Sequence, residues 1–295
     1  MPLRPPTPVL TYGRVLARAA ARLGDRLEAR RIVEAAAGLS SAGLIRRLDD
    51  GVEPALATEV DALVDRRIAG EPLQHVVGTW GWRTLDVAVD RRALVPRPET
   101  EQLVDLALSL EALAVPGRPV AADLGTGSGV IALALVVEHP TIEVFAVDES
   151  DSALALAGEN LTRVPARAAS RVHLRHGSWY EALPGELRGT LDLVVANPPY
   201  LAEREWAELD PVVRDHDPYA ALVAGPTGLE CIAAVVIGAP AWLTGEGAVL
   251  VEIAPTQADE AVRLARSAGF VAADVVADLA GRPRLLRALG PRSAG

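Results

Sequence analysis

The sequence predicts an α/β protein whose main domain is a doubly wound sheet, preceded by a small helical domain. Two observations support this fold class. From about residue 100 onward, short apolar runs alternate with helical stretches, which is the pattern of successive βα units. Before residue 70, apolar side chains instead recur every three or four residues, as they do on amphipathic helices.

The N-terminal segment, residues 1–75, is predicted to be the helical domain. Its apolar positions at helical spacing are Val15, Leu16, Ala19, Leu23 and Leu27, followed by Val60, Leu63, Val64 and Ile68. The segment contains no catalytic constellation. We interpret it either as a scaffold or as a docking surface for a protein substrate, and we predict substrate docking.

Residues 76–98 are predicted to form a β-hairpin that links the two domains. The apolar spacing changes here to that of strands, at Val76-Val77, Trp80, Trp82, Leu85, Val87 and Val89. The two prolines of Pro96-Arg97-Pro98 then make a stiff connector ahead of an acidic helix start.

The sheet domain is predicted to occupy residues 99–290. Predicted helices cover residues 99–113, 229–242 and 256–268, and two more begin at Ser128 and Ser152. Predicted strands cover residues 120–124, 143–148, 171–175, 191–196, 248–253, 271–276 and 285–289. Because little chain separates the last two strands, we expect them to form an antiparallel pair at one edge of the sheet.

The charge of the chain limits the partners that it can have. Its 295 residues carry a net charge of −10, and the pI is about 5.1. A protein whose main partner is duplex DNA or an anionic membrane would present a basic face, so we expect no direct nucleic-acid partner and no membrane partner. All 29 positive charges are arginines, and the lack of lysine excludes Schiff-base and P-loop lysine chemistry.

Cysteine and histidine usage indicates a reducing compartment and no metal site. Cys231 is the only cysteine, so an intrachain disulfide is impossible and a cytoplasmic location is expected. The proline-rich first residues lack the apolar segment of a signal peptide, and the sequence has no run of about 18 apolar residues. The five histidines do not have the spacing of metal ligands.

Asn197-Pro198-Pro199-Tyr200 is the most informative motif of the chain. It directly follows residues 191–196, which are predicted to form a strand. Because proline lacks the backbone N–H and fixes φ, the chain must leave the sheet there in a stiff corner. The corner presents a carboxamide, backbone carbonyls and an aromatic ring, a set suited to holding a planar group by its N–H protons. The motif therefore indicates chemistry on an amide or amino nitrogen.

A glycine-rich loop follows the first strand of the sheet domain. The loop is Asp123-Leu124-Gly125-Thr126-Gly127-Ser128-Gly129, and it opens a predicted helix. Glycines at such a point allow a tight turn and a close approach of the backbone to a ligand at the helix start. A dinucleotide fingerprint would need glycine at position 130, which is valine here. The loop therefore suits a small nucleoside ligand, although a plain tight βα turn is the alternative.

Asp148 ends the second strand, 19 residues after Gly129. A carboxylate at this place can accept both ribose hydroxyl protons of a nucleoside, as an acidic residue does in dinucleotide folds. A helix N-cap is the alternative role, but Ser150 and Asp151 can also serve as caps. Together, the loop and Asp148 favour S-adenosylmethionine over a nicotinamide cofactor.

Ser178 and Trp179 follow the third strand of the sheet domain. Ligands of such folds bind at the carboxyl edge of the sheet, so both residues are candidate cofactor contacts. Trp179 is expected either to lie against the adenine ring or to pack in a loop.

The glycine loop, Asp148 and the Asn-Pro-Pro-Tyr corner together resemble class I methyltransferases that act on nitrogen. Adenine-N6 DNA methyltransferases and glutamine-N5 protein methyltransferases share that corner. Five other segments resemble the second group: Gly70–His75, Leu94–Glu101, Asp217-Pro218 with Ala221-Leu222, Gly225 and Gly228-Leu229, Glu252-Ile253 with Gln257, and Asp278–Arg284. Over residues 10–290 the chain thus resembles the peptide chain release factor N5-glutamine methyltransferases, the PrmC/HemK family.

The resemblance implies a fold and a reaction. The family has a helical N-terminal domain, a hairpin linker and a seven-stranded, S-adenosylmethionine-dependent methyltransferase domain. It methylates the glutamine in the Gly-Gly-Gln loop of bacterial class I release factors, and we expect a monomer. Two positions depart from the family pattern: Ser178 replaces a common aspartate before the tryptophan, and Ala254 replaces a usual glycine.

The resemblance also implies the site. Asn197, Pro198 and Tyr200 are the predicted catalytic residues, with Pro199 completing the substrate corner. We expect the Asn197 side-chain oxygen and the Pro198 carbonyl to accept the two protons of the substrate amide. The predicted cofactor residues are Asp123, Gly125, Thr126, Gly127, Ser128, Gly129, Asp148, Ser178, Trp179 and Asn197.

Three other functions stay open at the level of the sequence. The substrate could be a glutamine of another protein, such as a ribosomal protein. An adenine-N6 nucleic-acid methyltransferase is disfavoured by the acidic charge and the helical N-terminal domain. A cofactor-binding homologue without activity is suggested by Ser178, because a neutral hydroxyl replaces a carboxylate at the cofactor.

Overall fold

The computed structural model describes residues 10–114 and 117–291. The proline-rich start, on which the absence of a signal peptide was predicted, lies outside the described residues. The chain divides into two compact units. One unit comprises the chain up to Trp80 together with Pro211–His216, and the other comprises Gly81–Asp210 and the chain from Asp217 onward.

The first unit is helical, as the apolar spacing predicts. Its helices before the linker are α1 (Tyr12–Leu23), α2 (Arg26–Ala37), α3 (Ser41–Arg46), α4 (Pro54–Ile68) and α5 (Leu73–Val77). Side chains of Thr11, Asp25 and Ser40 cap the starts of the first three helices by accepting backbone N–H groups. Left-handed Gly24 and Gly38 end the first two.

A two-stranded sheet follows, made of β1 (Thr79–Trp82) and β2 (Leu85–Ala88). The turn between the strands places Arg83 at a φ of 52°, in the left-handed region. Trp82 is buried, and its indole N–H donates to the Arg97 carbonyl (3.0 Å). That bond fixes the proline-flanked connector that leads into the sheet domain.

The sheet domain alternates strands and helices as predicted. Its helices are α6 (Pro98–Leu108), α7 (Glu111–Ala114), α8 (Val130–Glu138), α9 (Asp151–Leu161), α10 (Ala166–Ala169), α12 (Glu230–Gly238) and α13 (Ala258–Ser267), while α11 (Pro211–His216) belongs to the first unit. Its strands are β3 (Val120–Leu124), β4 (Glu143–Asp148), β5 (Val172–His176), β6 (Leu191–Ala196), β7 (Leu201–Ala202), β8 (Val223–Gly225), β9 (Leu243–Glu252), β10 (Phe270–Ala277) and β11 (Pro283–Pro291).

Seven of these strands form one sheet in the order β10-β11-β9-β6-β3-β4-β5. The pairs between β9 and β5 are parallel, and β11 runs antiparallel to both of its neighbours. The predicted seven-stranded, doubly wound sheet with an antiparallel pair at one edge is thereby confirmed. Most residues of the central strands β3, β4 and β6 are buried, which explains why their sequences are mostly apolar.

Several observed elements differ from the predicted ones. Val76-Val77, predicted as part of the hairpin, lie in α5, and only β1 and β2 form the hairpin. The predicted helix 99–113 breaks after Leu108, where the Ser109 hydroxyl donates to the carbonyl three residues earlier (2.7 Å). The predicted helix 229–242 ends at Gly238, because Pro240 cannot supply the next helical N–H. The pair of β7 with β8 was not predicted, since strands of two and three residues show no periodicity.

Asn160 joins three parts of the sheet domain. The side chain is completely buried at the end of α9. Its amide group donates to the carbonyls of Ala88 (3.1 Å) and Ser128 (3.0 Å), and its oxygen accepts the Ala88 N–H (2.7 Å). Strand β2 and the glycine loop are therefore held to the same side chain.

Replacing Asn160 by alanine should lower the free energy of unfolding by about 3 kcal/mol, because buried groups left unpaired cost about 1–3 kcal/mol each. Denaturant unfolding measures this change. The matched control is Glu159→Gln on the same helix, which loses only an exposed ion pair with Arg92 and should cost less than about 1 kcal/mol. Equal denaturation midpoints for the two variants would contradict the structural role of Asn160.

Candidate functional site

A cavity of about 400 Å³ opens at the carboxyl ends of the parallel strands. From β3 the chain proceeds outward through β4 and β5, and it then returns to place β6 on the other side of β3. Ligands of open α/β sheets bind at such a switch point, because the loops that follow neighbouring strands diverge there. The cavity wall includes Gly125, Gly127, Asp148, Ser178, Trp179, Asn197 and Pro199.

The glycine loop is shaped by its backbone. The N–H groups of Gly125 and Thr126 both donate to the Val147 carbonyl (2.9 Å each), which ties the loop to the end of β4. Gly127 has a φ of 56° and faces the cavity. Gly129 has a φ of 85°, and a Cβ there would lie 3.2 Å from the Ala157 Cβ. Glycine is thus needed at 127 and 129 for the turn, and at 129 also for close packing.

Asp148 binds the glycine loop and can still accept further hydrogen bonds. Its Oδ2 accepts the Gly127 N–H (2.8 Å), and its Oδ1 accepts the Ser150 N–H (2.9 Å). A carboxylate has about four lone-pair sites, so each oxygen can accept one more hydrogen bond from the cavity. Burial raises the pKa of Asp148, and the backbone N–H groups of Ser150 and Gly127 oppose that rise.

Asp123 lies beneath the loop and is completely buried. Its Oδ2 accepts from the Thr126 hydroxyl (2.6 Å) and from the Ala132 N–H (3.2 Å), whereas its Oδ1 has no hydrogen-bond partner in the described structure. Burial raises the pKa of Asp123 to about 7. Asp123 therefore supports the glycine loop from beneath, through its Oδ2.

Ser178 and Trp179 reach the cavity after β5. Trp179 has a φ of 44°, a left-handed conformation that costs a non-glycine residue of the order of 1–3 kcal/mol. Its ring lies beside the glycine loop, since a Cβ on Gly125 would be 3.6 Å from it. The Trp179 ring therefore lies on the cavity wall next to the loop that would hold a ligand.

The Asn-Pro-Pro-Tyr corner is held through the backbone of Tyr200. Its N–H donates to the Leu222 carbonyl (3.2 Å), and its carbonyl accepts from Gln257 Nε2 (2.8 Å). Gly228 packs against that carbonyl so closely that a Cβ on it would lie 2.8 Å away. The corner is therefore rigid on both sides, beyond the stiffness of its prolines.

The side chain of Asn197 points one end of its amide away from the cavity. Its Nδ2 donates to the Thr100 hydroxyl (3.1 Å), and that hydroxyl donates to Glu252 Oε2 (2.7 Å). Thr100 and Glu252 are both buried. Sequence reasoning quoted these two residues only as parts of family segments and gave them no role.

The structure divides the predicted site residues into two groups. Those on the cavity wall are Gly125, Gly127, Asp148, Ser178, Trp179, Asn197 and Pro199. Those that form the loop and the corner without lining the cavity are Asp123, Thr126, Ser128, Gly129, Pro198 and Tyr200. Their individual roles stay predictions.

The residues present fit S-adenosylmethionine. Asp148 offers two acceptor atoms for ribose hydroxyls, Trp179 offers an aromatic face, and Gly125 and Gly127 leave room for a ligand against the backbone. Within residues 10–114 and 117–291, no cluster of three or more histidine, cysteine or acidic side chains could hold a metal ion. In the same ranges, no helix is long and apolar enough to cross a membrane.

Known protein families and solved structures match both parts of the chain. Residues 9–78 match the PrmC N-terminal domain, and residues 104–210 match the methyltransferase small domain. Two solved structures share the fold of the sheet domain. The methyltransferase from Pyrococcus furiosus is 17% identical with a TM-score of 0.50, covering 79% of this chain and 97% of that one. The T. thermophilus 16S rRNA methyltransferase RsmC, in complex with AdoMet and guanosine, is 20% identical with a TM-score of 0.50, covering 72% and 50%.

Two relatives that carry the same family name match nearly the whole length of the chain. The release factor glutamine methyltransferase of Cereibacter sphaeroides is 39% identical over 267 residues, covering 90% of this chain and 91% of the relative. That of Deinococcus radiodurans is 39% identical over 280 residues, covering 93% and 96%. The predicted enzyme class and the predicted cofactor, S-adenosylmethionine, are thereby confirmed. The chain belongs to the family of release factor glutamine methyltransferases.

Proposed function

We propose that this protein transfers a methyl group from S-adenosylmethionine to the side-chain amide nitrogen of the glutamine in the Gly-Gly-Gln loop of class I release factors. One observation carries the proposal. Asn197 lies on the cavity wall with its Nδ2 bonded to Thr100, which leaves its Oδ1 available as a proton acceptor. A primary amide has two N–H protons, and the corner contains carbonyl oxygens that can accept them.

The reaction requires alignment more than activation of a base. The lone pair of an amide nitrogen is delocalised into the carbonyl, so the nitrogen is a poor nucleophile in any loose complex. S-Adenosylmethionine, when bound, supplies an electrophilic methyl group. Asn197 Oδ1 and the Pro198 carbonyl accept the two amide protons and hold the nitrogen in a reactive geometry, which is catalysis by preorganised dipoles and by orientation. One proton leaves during or after transfer, so no strong base is needed.

Tyr200 and Pro199 complete the substrate corner. The Tyr200 ring is flanked by the Arg284 guanidinium, 5.5 Å from the ring centroid. Burial raises the pKa of Tyr200, with the nearby Glu252 adding to the rise, so the phenol stays neutral. A neutral ring beside the corner introduces no charge that would compete for the substrate amide.

The choice of a release factor over other substrates has two supports. The relatives that cover most of the chain carry the name release factor glutamine methyltransferase. The net charge of −10 disfavours a nucleic-acid substrate. We further propose that residues 1–75 dock the protein substrate, since Leu27, Ile45 and Ile68 expose more than half of their surface there. A monomer in the cytoplasm is part of the same proposal.

A labelled-methyl assay tests the substrate. Purified enzyme and labelled S-adenosylmethionine should place label in class I release factors and leave no label in the Gln→Ala variant of the Gly-Gly-Gln loop. A ribosomal protein fraction and an adenine-containing DNA duplex serve as competing substrates. Label that persists in the Gln→Ala variant, or that enters only a competing substrate, would overturn the assignment.

Asn197→Ala should lower kcat by about 100- to 1,000-fold, the usual loss on removing one preorganised group. The variant should bind S-adenosylmethionine with nearly unchanged Kd, because Asn197 acts on the substrate amide in this proposal. Steady-state kinetics and calorimetry give the two values. If the Kd for the cofactor rises as much as kcat falls, Asn197 acts mainly on the cofactor.

Ser178→Asp should tighten cofactor binding by about tenfold, the value of one charge-assisted hydrogen bond. The substitution restores the carboxylate common in the family at a position on the cavity wall. Ser178→Asn is the matched control, since it has the same size as aspartate without the charge. Calorimetric Kd values that are equal for the two variants would show that the charge at this position is irrelevant to the cofactor.

A further inference from the structure

Asn197, Thr100 and Glu252 form a hydrogen-bonded chain behind the substrate corner. Asn197 Nδ2 lies 3.1 Å from Thr100 Oγ1, which lies 2.7 Å from Glu252 Oε2. Thr100 comes from the first turn of α6, Asn197 follows β6, and Glu252 ends β9. Both Thr100 and Glu252 are at least 98% buried, so water does not compete for these bonds.

The direction of each hydrogen bond follows from the chemistry of the groups. An ionised carboxylate is an acceptor only, so the single proton of the Thr100 hydroxyl must point at Glu252. The hydroxyl can then only accept from Asn197, and the donor end of the Asn197 amide must face it. The oxygen end of Asn197 is left for the cavity.

Arg284 lies beside Glu252, and its positive charge favours the ionised, acceptor form of that carboxylate. Its Nε lies 3.6 Å from Glu252 Oε1, on the side of the carboxylate opposite to the Thr100 bond. Burial raises the pKa of Glu252, while the Thr100 hydroxyl and the positive charges of Arg284 and Arg97 oppose that rise. Glu99 is the negative charge that adds to it.

We infer that Thr100 and Glu252 are positioning residues that decide which end of the Asn197 amide faces the substrate. The inference rests on the proposed function, in which the substrate glutamine donates two N–H protons. An Asn197 turned by 180° would present its own N–H groups to those protons and could not hold the substrate nitrogen.

The substitution Glu252→Gln should reverse the direction of both hydrogen bonds between residue 252, Thr100 and Asn197. A glutamine at 252 would turn its oxygen toward Arg284, because a guanidinium only donates, and its NH₂ group toward Thr100. Thr100 would then accept from residue 252 and donate to Asn197 Oδ1. The NH₂ group of Asn197 would face the cavity, although the two side chains at 252 have almost the same shape.

The experiment compares Glu252→Gln, Thr100→Val and Thr100→Ser with the wild type. We expect Glu252→Gln and Thr100→Val to lower kcat for a release factor by about 100-fold, as expected on losing one preorganised acceptor. Thr100→Ser keeps the hydroxyl and should retain kcat within about threefold. Kd for S-adenosylmethionine and Tm should stay close to wild type in Thr100→Ser and Glu252→Gln.

A second readout is independent of catalysis. The chain contains only two asparagines, Asn160 and Asn197, so selective ¹⁵N-asparagine labelling reports on two side-chain NH₂ groups, each with a pair of proton signals. Asn160→Ala identifies the signal of Asn197. In the wild type and in Thr100→Ser, one Asn197 amide proton should be shifted by its bond to the hydroxyl and protected from solvent exchange. In Glu252→Gln and Thr100→Val, that shift and that protection should be lost.

The outcomes separate this inference from the proposed function. A wild type that methylates no release factor defeats the proposed function, and the labelled amide signal still tests the orientation of Asn197. A wild-type kcat and an unchanged Asn197 signal in Glu252→Gln would overturn the inference. Loss of kcat in parallel with Tm and cofactor affinity, including in Thr100→Ser, would show a merely structural role and would also overturn it.

Discussion

The candidate site depends on how β6 ends. This strand lies near the middle of the sheet, between β9 and β3, and two consecutive prolines prevent it from continuing. Tyr200 is then held by Leu222 and Gln257, so the corner cannot relax toward either side. Because β6 and β3 are neighbours, the same constraint places Asn197 beside the glycine loop. The strand order thus brings the Asn-Pro-Pro-Tyr corner and the glycine loop to one cavity.

Buried polar groups determine the details of this cavity. Asn160, Asp148 and Gln257 each bind two or more groups from different segments, and a shift of one segment away from them would break these hydrogen bonds. An unpaired buried group costs about 1–3 kcal/mol, a large fraction of the stability of a domain. Apolar packing would tolerate small shifts of these loops, whereas the hydrogen bonds allow one geometry. The precision of the site therefore comes from its polar contacts.

The parts of the fold and site that the sequence could predict are those encoded locally. The βα alternation, the glycine loop, Asp148 after its strand and the proline corner each follow from a short segment and an elementary rule. Thr100, Glu252 and Asn160 could not be found in this way. Thr100 lies 97 residues from Asn197 and 152 from Glu252, and Asn160 lies 72 from Ala88. Such contacts depend on strand order and register, which no local pattern contains.

The neutral amide of Asn197 suits a site where an electrophilic methyl group is delivered. A carboxylate would accept the substrate protons more strongly, but it is itself a nucleophile and could compete for the methyl group. A carboxamide oxygen accepts protons without that reactivity, although its amide has a donor end of nearly the same shape. The orientation must therefore be imposed from outside. In this protein the Thr100 hydroxyl separates Asn197 from the Glu252 carboxylate. The negative charge of Glu252 can therefore set the orientation of the Asn197 amide, although Glu252 is buried and does not contact that amide.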